Sequence, residues 1–163
     1  VLDSVITAAV DVLAAAGLTA GPFYPQTPPG TGVSVMVGAE NVRRRDGGFD
    51  RYLGLRPVPG QDSREIYGMR CDLTLRLDIY APLTESNAAM SCLAAFDSAA
   101  EALDGAGTFG ITGLSCGTPE PAPAAGCFHL KAAAECCVLL LRENSGAGET
   151  TFTDFVLRGE PES

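Results

Sequence analysis

Gly113-Leu114-Ser115-Cys116-Gly117 matches the G-x-S-x-G nucleophile elbow, in which glycines permit a sharp strand-to-helix turn that lifts the serine hydroxyl clear of the backbone. The sole histidine, His129, lies fourteen residues further on with Glu120 between them, so a Ser115, His129 and Glu120 relay for acyl transfer can be drawn. The context opposes it. Thr-Pro-Glu-Pro stands where the elbow requires a helix, and His129 falls on a segment that reads as a strand pairing back across a hairpin. Six cysteines (Cys71, Cys92, Cys116, Cys127, Cys136 and Cys137) contain no C-x-x-C pair, the close spacing by which one turn aims two thiolates at a zinc ion. Cys116, Cys127 and His129 could approach one another across the hairpin, but no fourth ligand is evident. The cysteines read as reduced, buried and apolar, with Cys136 and Cys137 directed to opposite faces of a strand. Walker, dinucleotide-binding and H-E-x-x-H motifs are lacking. The expectation is a chain with no enzymatic centre, cofactor or metal.

The elements that would carry these residues follow from periodicity. Leu2, Val5, Ile6, Ala9, Leu13 and Ala16 recur at helical spacing, predicting an amphipathic helix from about Asp3 to Ala16 that stops at Gly17. Gly21 to Gly32 holds four prolines and three glycines, which predicts an extended connector. A strand is expected from Val33 to about Val42, and a second strand or arm in FDRYLGL. From Arg70 to Tyr80, arginine, aspartate and threonine alternate with Cys71, Leu73, Leu75, Leu77 and Ile79; this predicts a half-buried strand with one wet face. A helix over Ser86 to Leu103 follows, with Ala89, Leu93, Phe96, Ala100 and Leu103 as its buried stripe. Strands are then expected at Phe109 to Cys116, Cys127 to Arg142 and Thr151 to Arg158. The long segment from Cys127 is apolar on both faces and belongs inside a sheet. Runs of turn-linked strands without βαβ alternation predict an α+β fold: one domain over 1–163, fraying at about 159–163, with a mainly antiparallel or mixed sheet of four to five strands and two helices packed on one face.

The chain has 163 residues, 16.8 kDa and a formal charge of -9, so a broadly basic nucleic-acid or membrane-surface binder is disfavoured. No apolar run reaches the length of a membrane span, and acidic Asp3 and Asp11 stand where a signal peptide carries positive charge; the expectation is a soluble protein made in the cytosol. The net figure conceals an asymmetry. Residues 43–76 hold eight arginines against five acids, about +3, which leaves about -12 for the rest. Arg43, Arg44, Arg45 and Arg51 lie beside Phe49, Tyr52 and Leu53. Arginine and aromatic residues favour interfaces, so these seven form the candidate surface for a neighbouring subunit or partner. If basic and acidic patches lie on different sides, the contact is head-to-tail and closes into a ring.

The N-terminal helix, VMVGAENVRRRDGGFDRYLG, YGMRCDLTLRLDIYAP, the helix with AAFDSAAEAL, ITGLSCGTPEPAPAAGCFHLKAAAECCVLLL and the closing TFTDFVLRGE together resemble bacteriophage tail terminator or tail completion proteins. The resemblance implies a small α+β subunit forming a ring, commonly a hexamer, that caps the finished tail tube and, in contractile systems, the sheath, and offers a surface to the head connector. It implies assembly in the bacterial host cytoplasm followed by residence in the virion tail or phage-like particle. It also implies long loops reaching neighbours, here Arg43 to Leu55 and the proline-rich Thr118 to Gly126 hairpin. Two alternatives remain open at this point, a head-tail connector or adaptor and a small-ligand or hydrolase domain built on Ser115.

Overall fold

The computed structural model describes residues 2–22, 32–44, 51–56, 64–144 and 150–156. Helix α1 (Leu2–Ala15) is followed by β1 (Thr19–Pro22), β2 (Ser34–Arg44), β3 (Arg51–Arg56) and the long β4 (Arg64–Pro82). Helix α2 (Ala88–Gly105) leads to β5 (Ile111–Cys116), β6 (Glu120–Ala122), a short 3-10 turn (Pro123–Ala125), β7 (Cys127–Asn144) and β8 (Thr150–Val156). The expected α+β class is observed: both helices pack on a mostly antiparallel sheet whose main path runs β1-β2-β4-β7-β5. Three further strands pair onto the two long ones, β3 on β4 and β6 and β8 on β7, making eight strands among the described residues. The two that periodicity left out are β1 and β6. Four and three residues long, they lie in proline-rich stretches too short to show alternation; β1 is held by parallel pairing with β2, Thr19 to Ser34 through Pro22 to Val37.

Alternation along β4 sorts its side chains as the pleat demands. Cys71, Leu73, Leu75, Leu77, Ile79 and Ala81 are buried beneath the helices, together with Val35 and Val37 of β2 and Leu130, Ala132, Ala134, Cys136 and Val138 of β7. Each large aliphatic side chain among them contributes roughly 1.5–3 kcal/mol through burial. Helix α1 supplies Val5, Ala9 and Leu13 and ends where Gly17 takes φ +85°, a left-handed conformation that suits glycine. Helix α2 buries Ala88, Cys92, Ala95, Ala99 and Leu103, a stripe displaced by one residue from the expected one at all but Leu103. The larger Leu93 and Phe96 pack at its flanks. Small residues at the contact line let the helix axis approach the sheet, and bulky ones then fit better beside that line than under it.

The sheet continues past this core. The buried stretch spans Cys71–Ala81 of β4 and Leu130–Val138 of β7, whereas β3 pairs with residues 64–68 of β4 and β8 with residues 139–144 of β7. β7 is interior, as its two-sided apolar composition predicts, with β4 along one edge and β6, β5 and β8 in succession along the other. The result is a four-stranded blade, β3-β4-β7-β8, extending beyond the helical layer as a continuation of the same sheet.

Candidate functional site

The face of the sheet turned away from the helices carries a compact charge cluster. Asp78 of β4 is fully buried (0 % exposed). Its Oδ1 lies 2.6 Å from His129 Nε2 on β7 and accepts a hydrogen bond from Arg76 Nη2 at 3.0 Å. Arg76 Nε stands 2.8 Å from Oδ2, within ion-pair reach but not aligned as a hydrogen bond, so Oδ2 has no directed donor. His129 in turn stacks on Tyr80, ring centroids 4.6 Å apart and planes 5° from parallel. Register explains the assembly, since Tyr80 pairs with His129, Asp78 with Lys131, and Arg76 sits two residues from Asp78 on the same face. The hydrogen bond to Asp78 pushes the Arg76 pKa up, and burial raises that of the Tyr80 phenol.

The wet face expected on β4 is kept at Arg70, Asp72, Thr74, Arg76 and Tyr80, all partly exposed, and Asp78 is the exception. The alternation is present, but Asp78 is sealed from water and its ion pair with Arg76 runs along one strand. His129 is half-buried and engaged with Asp78. Only a long-range pairing, β4 with β7, could reveal that a carboxylate and an imidazole 51 residues apart would share one pocket. Ser34 of β2 lies opposite Tyr80 and is buried with its hydroxyl unpaired.

The elbow serine does not join this cluster. Ser115 is paired with Ala133, four residues along β7 from His129, a separation of about 13 Å at ~3.3 Å per residue. Glu120 does sit beside His129 in register, but His129 Nε2 is directed at Asp78 instead. Ser115 and Cys116 border an open groove of about 400 Å³ with Glu40, Arg76, Gly117 and Lys131. His129 is not among that lining. Cys116 pairs with Ala132, five residues from Cys127, so the two thiols are about 16 Å apart along the strand. Among the described residues none of the six cysteines is joined in a disulfide, and no three His, Cys, Asp or Glu side chains gather in a way that could hold a metal. Nor is any helix among them long and apolar enough to cross a membrane. Burial lifts the Cys136 thiol pKa to about 12, whereas Cys137, on the opposite face, is half-buried.

Of the arginine and aromatic candidates, those described fall at the end of β2 and on β3. Arg43 is exposed near the end of β2, opposite Asp72 of β4; Arg44 is opposite Cys71. Arg51 and Tyr52 open β3, opposite Gly68 and Tyr67, and Leu53 lies at its bulge. Arg45 and Phe49 are outside the described residues. Tyr52 meets Tyr67 edge to face at 5.7 Å, yet remains 53 % exposed, and Leu55, a residue the sequence reading did not single out, is 58 % exposed. Tyr52, Leu55 and Tyr67 share the helix-bearing face of the sheet, beyond the ground the helices cover. The other proposed reaching segment, Thr118 to Gly126, folds back on its own sheet: β6 pairs with β7 from Glu120 and His129 to Ala122 and Cys127. No family model and no curated protein matches the chain.

Proposed function

We propose that this chain is a structural, non-enzymatic virion subunit that assembles through its arginine and aromatic blade into a ring, commonly a hexamer, capping a tail tube and meeting the head connector. The observation that carries the proposal is the exposed pair Tyr52 and Leu55 on β3. Among the described residues this strand pairs with β4 alone, leaving one backbone edge open beside Arg43, Arg44 and Arg51. An apolar edge strand of this kind is a template for another chain. Covering either side chain fully would contribute roughly 1 kcal/mol, about half the ~1.5–3 kcal/mol for complete burial. These residues therefore act as anchors within a larger contact of about 800 Å² per partner. The tail-terminator resemblance supplies the ring and tube; the blade supports it as an extension of the sheet past the helices with exposed apolar side chains. The wide separation of Ser115 and His129 counts against the hydrolase alternative.

Negative-stain microscopy of the protein alone and mixed with tail tubes tests the reading. Rings of one diameter and density capping tube ends are expected. Binding to a portal complex instead of tube ends would favour a head-tail adaptor, and a strictly monomeric protein that leaves tube ends bare would overturn the proposal.

A further inference from the structure

We propose that the groove on the open face of the sheet binds a small zwitterion, a molecule with a carboxylate at one end and an ammonium group at the other, such as a dipeptide. The site lies apart from the blade and does not depend on the ring reading. Its shape follows from register. Arg76 of β4 sits between Gly38 of β2 and Ala133 of β7, and Ser115 of β5 lies beyond Ala133, so the guanidinium has little or no side chain beside it in that row. Around the row the groove measures about 400 Å³, within the ~300–1,000 Å³ typical of small-ligand sites.

The charges of the lining select the ligand. Arg76 is balanced by Asp78, which accepts a hydrogen bond from its Nη2 at 3.0 Å and is met on the other side by His129. Lys131 is paired with Asp78 in register, yet it is exposed and has no ion-pair partner among the described residues. Glu40, at the bulge between Ala39 and Asn41 of β2, is likewise exposed and without an ion-pair partner among them. Lys131 and Glu40 line the same groove, but they stand on β7 and β2, two strand spacings or about 10 Å apart across β4. One unpaired cation and one unpaired anion on opposite sides of a groove, with the charge between them already balanced, match a ligand of opposite polarity at its two ends. A simple anion would meet repulsion from Glu40. The carboxylate of the ligand takes the Lys131 end, where Ser115 supplies a hydroxyl donor, and its ammonium group takes the Glu40 end. Because Asp78 is fully buried and holds Arg76, the guanidinium between them is in place before any ligand arrives.

Amide NMR spectra recorded at constant ionic strength test it, with glycylglycine as the probe and acetate and ethylamine as single-charge controls. Glycylglycine should shift the amides of Glu40, Arg76, Ser115, Gly117 and Lys131 saturably and bind more tightly than either control. Lys131→Gln and Glu40→Gln each remove one exposed charge contact and should each raise its apparent Kd on the order of 5-fold; the spectra of the unliganded variants check that both fold. Acetate binding as tightly as glycylglycine, or a glycylglycine affinity indifferent to Glu40→Gln, would overturn the zwitterion in favour of a plain anion site. Shifts that fail to saturate, or that spread over the whole surface, would overturn the groove as a site. Neither outcome bears on tube capping, so the ring reading stands or falls separately.

Discussion

Removing Arg76 should destabilise the fold more than removing Asp78, although the two form one ion pair. Asp78 is fully enclosed, whereas the side chain of Arg76 is 35 % exposed and that of His129 21 %. In Arg76→Met the carboxylate stays buried and loses the donor at 3.0 Å. Stranding a buried charge costs roughly 3–5 kcal/mol. His129, still 2.6 Å away, offsets part of that, and the expected loss is about 2–3 kcal/mol. In Asp78→Asn the Arg76 guanidinium can turn toward water, so the loss should stay near ~1 kcal/mol, that of one exchanged hydrogen bond. Arg76→Met combined with Asp78→Leu replaces charge with apolar volume and should lie close to wild type, as such replacements of buried pairs often do. Urea denaturation followed by circular dichroism reads all three, and by heating the Arg76→Met loss corresponds to roughly 5–10 °C at this chain length. Equal stability of Arg76→Met and wild type, or a larger loss for Asp78→Asn, would refute the reasoning that the enclosed carboxylate governs the pair.

Burial raises the Cys136 thiol from 9.0 to about 12; the folded state holds that proton more tightly than the unfolded one, so its contribution is complete below pH 9 and is lost as pH rises from 9 toward 12. Denaturation midpoints measured across that range should fall more steeply for wild type than for Cys136→Ala, and parallel curves would contradict the assignment. In the native protein iodoacetamide should modify exposed Cys116 first and reach Cys136 only after unfolding, as peptide mapping by mass spectrometry can establish. Gly126 closes the 3-10 turn before β7 at φ +64° with open space where a side chain would project. Gly126→Ala should therefore cost about 1–2 kcal/mol from conformation alone, and Gly126→Asn less, because asparagine tolerates the left-handed region; a thermal melt of the two variants separates them.

Most of the fold was legible because its signals are local. The apolar alternation from Cys71 to Ile79 and the helical spacing of Val5, Ala9 and Leu13 are readable from neighbours alone, and both hold. What escaped depends on partners distant in the chain. Asp78 looks like one more surface charge in an alternating strand until β7 brings His129 against it. β1 and β6 owe their existence to strands already in place rather than to their own composition. The elbow motif shows the opposite failure, a local match with no tertiary support: the pairing of β5 with β7 holds Ser115 four residues from the only imidazole. The candidate surface was visible as a cluster of arginine and aromatic residues, yet Leu55, 58 % exposed on β3, carries no sequence signal beyond its place on an edge strand.

Native mass spectrometry of the wild-type protein tests the central claim most directly, because a closed heterologous ring has one stoichiometry and an open chain of contacts has many. The account predicts a single species at a fixed multiple of 16.8 kDa, six copies in the common case, with no ladder above it and with dissociation to monomer when Tyr52 and Leu55 are both changed to aspartate. A monomer at every concentration and on every tube, or an assembly indifferent to those two changes, would contradict it.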